Sequence, residues 1–137
     1  MPITDAMRAR HVVRQYLSTP LPDDVVAALR SRIEENNRAH GTDIRLVTGD
    51  ARVFGPLWGT VRARSVRNCL VMSGPDAPDL DERLGYGGAD LMLAAQDLGL
   101  NTWWIGGTFS KRAAARVSGA TGRIVAVVAL GYGATQG

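Results

Sequence analysis

The chain has 137 residues, 45% of them hydrophobic, which is the size of one ordinary domain with enough apolar side chains to form a core. Its formal net charge of +3 suits an anionic ligand but is too small to indicate a nucleic-acid-binding protein. The one cysteine, Cys69, excludes an internal disulfide framework and indicates the cytoplasm, and the sequence shows neither a secretion signal nor a membrane-spanning apolar stretch.

Helices and strands alternate in the first half of the chain. Residues 3–10 (ITDAMRAR) predict a short helix, and residues 23–38 a second helix that ends at Gly41. A short strand is predicted over residues 43–49, whereas residues 52–65 (RVFGPLWGTVRARS) are ambiguous and favour a broken helix. The positions that give the second helix its three- and four-residue spacing are Val26, Leu29, Arg30 and Ile33.

The middle of the chain predicts a strand followed by a long helix. Residues 67–74 (RNCLVMSG) form an apolar run of strand length, and residues 79–98 have helical spacing. Gly99 has the position of a left-handed C-cap, so Leu100 can pack back on Ala95 in a Schellman motif. The positions predicted along one face of this helix are Leu84, Gly88, Leu91, Ala95 and Leu98.

The remaining segments complete a layered domain. Residues 101–105 (NTWWI) predict a strand, and a short helix follows with Ser110 at its N-cap and Gly119 at its end. Residues 123–131 (RIVAVVALG) are almost uniformly apolar, which predicts a strand covered on both faces. The order of elements indicates an α/β or α+β domain with one central sheet, and leaves the parallel or antiparallel sense of the strands open.

A basic cluster near the N-terminus is the first candidate binding feature. Arg8, Arg10, His11 and Arg14 fall within seven residues, and arginine side chains supply the multiple donors that a phosphate requires. The alternative is a solvated basic helix end that interacts favourably with the helix dipole. Taken alone, the cluster favours this second interpretation.

A second candidate is the turn after the tryptophan pair, in WWIGGTF. Gly106 and Gly107 follow a predicted strand, and backbone N–H groups without a neighbouring Cβ can bond the edge of a planar heterocycle. The alternative is an ordinary turn in which Trp103 and Trp104 belong to the core, which is the commoner use of tryptophan.

The glycines of LGYGGAD, at positions 85, 87 and 88, are a third feature. They could hold a phosphate at a helix N-terminus or allow two helices to cross closely. Their spacing matches neither the dinucleotide-binding fingerprint nor a P-loop, so close helix packing is favoured. The sequence indicates no zinc cluster or nucleophile elbow, and the acidic residues at 76, 79, 81 and 82 are interpreted as charges that match a helix dipole.

The order of these features resembles a known family. A helix ending in R-H-x-x-R-x-Y, then G-A-D-L-M-L-A-A-Q-D-L-G-L-N-T-W-W-I-G-G-T-F-S-K, then V-A-V-V-A-L-G-Y-G, is similar to the nitroreductase-like FMN-dependent oxidoreductases. Nearly the whole chain takes part, and residues 85–111 are the most specific stretch. The resemblance implies an α+β fold, an α-β-α sandwich around a mixed, mainly antiparallel sheet, within one domain over residues 1–137. It also implies a homodimer with FMN at the subunit interface.

The resemblance assigns roles to particular residues. The basic cluster would hold the phosphate and ribityl chain of FMN, and the glycine turn would approach the flavin ring. The helix predicted over residues 79–98 would be the family's dimer helix. NAD(P)H would donate hydride, and the acceptor would be a small electrophile such as a nitro compound or a quinone. The residues implied to bind the cofactor are Arg10, His11, Arg14, Ile105, Gly106, Gly107 and Thr108.

The chain departs from the family pattern in two places. Val12 stands where the family often has serine, and a P-[ST]-x-x-N-x-Q-like segment that packs on the flavin is missing. The chain therefore resembles a member truncated at its C-terminus, for which weak FMN binding is expected. Two other hypotheses are kept: a degenerate module that binds flavin or another phosphorylated ligand without turnover, and a nucleic-acid binder that uses arginines such as Arg62 and Arg67.

Overall fold

A computed structural model of the protein describes residues 19–49, 67–107 and 109–133. The helices in this part of the chain are α1 (Asp23–His40), α2 (Leu80–Asp97) and α3 (Lys111–Ser118). The strands are β1 (Arg45–Val47), β2 (Asn68–Gly74), β3 (Asn101–Ile105) and β4 (Arg123–Gly131). The helices predicted over residues 3–10 and 52–65 lie outside the described residues.

The four strands form one sheet in the order β1-β2-β4-β3, and each of its three strand pairs is antiparallel. The hydrophobic pattern left the relative direction of the strands open, and every described strand pair is antiparallel. In the long central pair Leu70 lies opposite Val128, and the register shifts between Met72 and Ser73. As predicted, β4 is covered on both faces, since nearly all of its residues are buried.

Helices cover both faces of the sheet, and the side chains of each strand alternate between them. Leu70 and Met72 of β2 join the core cluster beneath α1 and α2. Cys69 and Val71 of the same strand join the opposite cluster, which includes Ala114 of α3. The result is an α-β-α sandwich, as the resemblance to the nitroreductase-like family implied.

The helix α1 shows one difference from its predicted pattern. Its buried stripe is Val25, Leu29, Ile33 and Asn36. Of the predicted positions, Arg30 is exposed, whereas Val26 is half-buried and packs against the core cluster. Both sets of positions have helical spacing and share Leu29 and Ile33, so the periodicity alone does not decide between them. The predicted end is confirmed: Gly41 has a φ of 64°, and its N–H bonds the carbonyl of Asn37.

Local signals at the ends of the other helices are also confirmed. Gly99 has a φ of 85°, and the N–H of Leu100 donates to the carbonyl of Ala95 at 2.9 Å, which is the Schellman bond. At the start of α3, Ser110 accepts a hydrogen bond from the N–H of Ala113, and Gly119 ends the helix in a left-handed conformation. These ends fix where β3 begins and where the turn after it meets α3.

Candidate functional site

The two tryptophans near the end of β3 lie on opposite faces of the sheet. Trp103 and Ile105 are 8% and 3% exposed and belong to the core cluster on the α3 side of the sheet. Trp104 points to the opposite face and is 37% exposed. The interpretation of the pair as core is therefore right for Trp103, whereas Trp104 offers an aromatic surface to solvent directly before the glycine turn.

The turn itself is open. Gly106 and Gly107 are both exposed, and neither has a positive φ. A Cβ on Gly106 would approach no described atom closer than Trp104 Nε1, at 3.8 Å, and a Cβ on Gly107 would meet none within 4 Å. Neither backbone strain nor packing within the described part of the chain explains why side chains are absent here. The two glycines instead leave backbone accessible at the end of a buried strand.

Gly88 on α2 forms a notch for Trp104. A Cβ on Gly88 would stand 2.8 Å from Trp104 Cζ3 and 3.0 Å from Met72 Cε, distances that would force one of these side chains to move. The indole therefore lies against the helix backbone. The contact joins the middle of α2 to the end of β3, next to the glycine turn.

The other two glycines of this group differ from Gly88. A Cβ on Gly87 would meet Ile44, Asn36 and His40 at 3.4 to 3.6 Å, which are ordinary van der Waals distances, so α2 packs on α1 here without requiring a glycine. Gly85 is exposed, and a Cβ placed on it would have no described atom within 4 Å. Close contacts at Gly87 and Gly88 thus already arise within one chain.

A polar junction holds α1 and α2 together beside these glycines. Arg32 donates two hydrogen bonds of 2.7 Å to the carboxylate of Asp90, and Asn36 donates a third of 2.8 Å. The hydrogen bond from Arg32 holds the pKa of Asp90 below its usual value, against the opposing effect of burial. The His40 ring stacks on Tyr86 with 6.3 Å between centroids. None of these residues was singled out from the sequence, because their partners are far apart along the chain.

Residues of α1 line two clefts whose other lining residues do not include Gly106 or Gly107. A cleft of about 320 Å³ lies between α1, β1 and the end of α3, where Arg45 donates to the carbonyl of Ser118. Another, of about 310 Å³, lies over the junction of Arg32, Asn36 and Asp90. Within the described ranges, no group of three metal-ligating side chains is assembled, and no helix is long and apolar enough to cross a membrane.

The predicted cofactor residues are described in part. Ile105, Gly106 and Gly107 are consecutive at the end of β3. Arg10, His11, Arg14 and Thr108 lie outside the described residues, so their assignment stays a prediction. Sequence reasoning left open whether Trp104 belongs to the core or contacts a ligand. Strand alternation places it on the face opposite Trp103, but which of the two is exposed depends on the helix that packs above it.

Comparison with known proteins identifies the family. The family model described as "Putative TM nitroreductase" matches residues 2–137. No curated protein matches the sequence. Among solved structures, one described as a putative nitroreductase in complex with FMN, from Desulfovibrio desulfuricans, is similar with a TM-score of 0.74 and 19% identity, over 100% of this chain and 89% of that chain.

Two further structures support the same fold. The FMN-dependent nitroreductase NfnB from Mycobacterium smegmatis, in complex with NADPH, has a TM-score of 0.75 and 12% identity, over 97% of this chain and 90% of that chain. A nitroreductase family protein from Clostridium difficile has a TM-score of 0.73 and 14% identity, over 98% of this chain and 86% of that chain. The match of the family model across the chain shows that this protein belongs to that nitroreductase family and has its α+β fold.

Proposed function

We propose that the protein is an FMN-dependent oxidoreductase that transfers hydride from NAD(P)H, through the flavin, to a small electrophile such as a nitro compound or a quinone. The observation that carries this proposal is the family match over residues 2–137. It is supported by two structural neighbours, one described in complex with FMN and one described as FMN-dependent and in complex with NADPH.

The described residues fit a planar cofactor at the end of β3. Gly106 and Gly107 are exposed, and a Cβ on Gly107 would meet no described atom within 4 Å. No described side chain therefore covers the position that a Cβ on Gly107 would occupy, and on this proposal the ring edge approaches the backbone there. On this proposal the segment Ile105 to Thr108 borders the ring, and its backbone supplies fixed hydrogen-bonding groups.

The anionic end of the cofactor is assigned to the basic cluster near the N-terminus. Arg10 and Arg14 would donate charge-assisted hydrogen bonds to the FMN phosphate, and His11 would contact the phosphate or the ribityl chain. When bound, FMN supplies the redox chemistry, accepting hydride from NAD(P)H and returning electrons to the acceptor. The chain's own contribution is to bind and orient the cofactor, so no protein nucleophile is required.

We also propose that the protein acts as a cytoplasmic homodimer. Around the outer side of α2, Gly85, Tyr86 and Ala89 are exposed and uncharged. A second copy that covers this side of α2 would remove it from water. Light scattering at tens of micromolar checks this, and a well-behaved monomer there would contradict the proposed dimer.

The test of the proposed function is a titration of the purified protein with FMN, followed by addition of NADH or NADPH without oxygen. We expect FMN to bind and its absorbance near 450 nm to bleach on reduction, then return when a quinone or nitro compound is added. Bound FMN that is not reduced would favour the alternative of a binding module without turnover. Failure to bind FMN would contradict the proposed function and leave only a module that binds another phosphorylated ligand.

The site assignment has its own test with a matched control. Arg10→Ala and Arg14→Ala should each weaken FMN binding by about 10- to 150-fold, which corresponds to the loss of one hydrogen bond to a charged group. Arg62→Ala removes the same charge from a position that is not assigned to the cofactor, so it should have little effect. Equal losses in all three variants would show that only general charge matters.

A further inference from the structure

Trp104 is the most unusual side chain beside the proposed cofactor turn. Among the large hydrophobic residues in the described part of the chain, Trp104 and Tyr86 are the exposed ones. Trp104 is also the exposed member of β3, since its four neighbours in that strand are buried. The exposed part of the indole is available for contact with a ring bound beside the turn.

The position of this indole is fixed by a glycine that the helix would otherwise disfavour. A glycine inside a helix is about 1 kcal/mol less favourable than an alanine. Even the Cβ of an alanine at position 88 would stand 2.8 Å from Trp104 Cζ3. Met72 Cε borders the same notch, because it lies 3.0 Å from the position that this Cβ would occupy. Gly88 and Met72 thus hold the indole edge in one place, while 37% of the residue stays exposed.

The indole is continuous with the open backbone of the turn. Trp104 Nε1 lies 3.8 Å from the position that a Cβ on Gly106 would occupy. Apolar aromatic surface and accessible backbone groups are therefore adjacent at the end of β3. This combination suits a planar heterocycle, whose face takes aromatic contact and whose edge takes hydrogen bonds.

We propose that Trp104 is a positioning residue of the flavin site, and that its indole, held in the notch of Gly88, contacts the isoalloxazine ring bound at the Gly106–Gly107 turn. The inference rests on the proposed function, since it takes FMN as the ligand. It adds a residue to the site and explains why Gly88 carries no side chain.

The test uses the fluorescence lifetime of bound FMN as well as its affinity. An excited flavin in van der Waals contact with an indole is quenched by reversible electron transfer, and phenylalanine does not quench in this way. Trp104→Phe should therefore give bound FMN a longer lifetime, with a Kd that rises by less than the about 5- to 150-fold expected for removal of the whole aromatic ring. Trp104→Tyr, which restores an oxidisable ring, should recover much of the quenching. Trp103→Phe is the matched control, because Trp103 lies on the opposite face of the sheet.

The possible outcomes separate this inference from the proposed function. If FMN binds the unmutated protein but Trp104→Phe leaves its lifetime and Kd unchanged at saturation, the role of Trp104 is wrong while the proposed function stands. If the anisotropy of FMN does not rise with the unmutated protein, both are wrong. Should Trp104→Phe fail to fold, Gly88→Ala decides, because it keeps the indole but displaces it. An unchanged lifetime in that variant would overturn the inference.

Discussion

Arg32 on α1 donates two hydrogen bonds of 2.7 Å to Asp90 on α2, so a bidentate ion pair joins the helices that cover one face of the sheet. Asn36, which is buried, donates a further hydrogen bond to Asp90 Oδ2. The Arg32 hydrogen bond is the largest cause that lowers the pKa of Asp90, and the nearby charge of His40 acts in the same direction. Ionised Asp90 is thus the form that the fold stabilises.

Replacing Asp90 by asparagine should lower the free energy of unfolding by about 1 kcal/mol at pH 7, a modest value because the Arg32 side chain is 44% exposed. The folded-state pKa of Asp90 lies below its ordinary value of 3.8. The stabilisation is therefore complete above that value and is lost as the pH falls through the folded-state pKa. Urea unfolding at a series of pH values between about 2 and 7 would show the difference between the two proteins shrinking in acid.

Glu34→Gln is a suitable control for this experiment. Glu34 is exposed on the same helix as Arg32 and forms no ion pair with another described residue. Its substitution should change stability by less than about 0.5 kcal/mol. A stability difference for Asp90→Asn that stays constant down to pH 2 would contradict the role given to the ionised carboxylate.

Gly88→Ala and Gly85→Ala should have opposite effects on stability, although both glycines lie in α2. At Gly88 the added methyl group meets Trp104 and Met72, so overpacking should cost about 1–3 kcal/mol and outweigh the gain in helix propensity. At Gly85 no described atom lies within 4 Å, so alanine should stabilise by up to about 1 kcal/mol. Thermal unfolding of the two variants side by side measures the contrast, and two changes of the same sign would contradict this account.

The sequence predicted the ends of the elements well because those signals are local. Gly41, Gly99 and Gly119 all adopt positive φ at the helix ends where they were expected. The N-cap at Ser110 is equally local, since its partner is three residues away. Each of these positions is set by the backbone conformation or by a hydrogen bond inside one turn.

Features that depend on partners distant in the chain could not be predicted in the same way. Arg32 and Asp90 are 58 residues apart and give no helical spacing signal. The antiparallel sense of β2 and β4 likewise depends on how distant segments meet, since both strands are apolar throughout.

The parts of the candidate site that depend on neighbouring residues in the sequence could be predicted, and the parts that depend on distant residues could not. The Gly106–Gly107 turn follows β3 as the sequence indicated. Alternation along a strand dictates that Trp103 and Trp104 face opposite ways, but the contact of the Trp104 indole with Gly88 depends on a residue of another element.

Ser110→Ala should destabilise the protein by about 1 kcal/mol through loss of the α3 N-cap. Ser110 Oγ accepts from the N–H of Ala113 at 3.1 Å, and without it that donor has no side-chain partner. Ser110→Asp should retain most of the stability, because its carboxylate can accept the same hydrogen bond. Amide hydrogen exchange would locate the effect: the first turn of α3 should exchange faster in the alanine variant. A uniform change throughout the protein would contradict a local cap.

Asn37→Ala should be the most damaging polar substitution in the connection between α1 and β1. Asn37 Oδ1 accepts from the N–H of Ile44 at 2.8 Å and from Thr42 Oγ1 at 2.9 Å, while its Nδ2 donates to the carbonyl of Ile44 at 3.1 Å. Three hydrogen bonds at about 1 kcal/mol each predict a loss of roughly 2–3 kcal/mol in the free energy of unfolding. Urea unfolding measures this loss directly.

Asn37→Asp distinguishes the contributions of the two ends of the amide. Aspartate keeps both acceptor interactions but loses the donation to Ile44, and it places a negative charge near the C-terminus of α1, where the helix dipole disfavours it. Its stability should therefore lie between those of the unmutated protein and the alanine variant. Asn36 is not a matched control, because its side chain donates a hydrogen bond to Asp90. Thr42→Val is the better control, because it removes only the Thr42 hydroxyl from the network around Asn37. If Thr42→Val cost as much as Asn37→Ala, the hydroxyl rather than the backbone of Ile44 would be the main partner of Asn37.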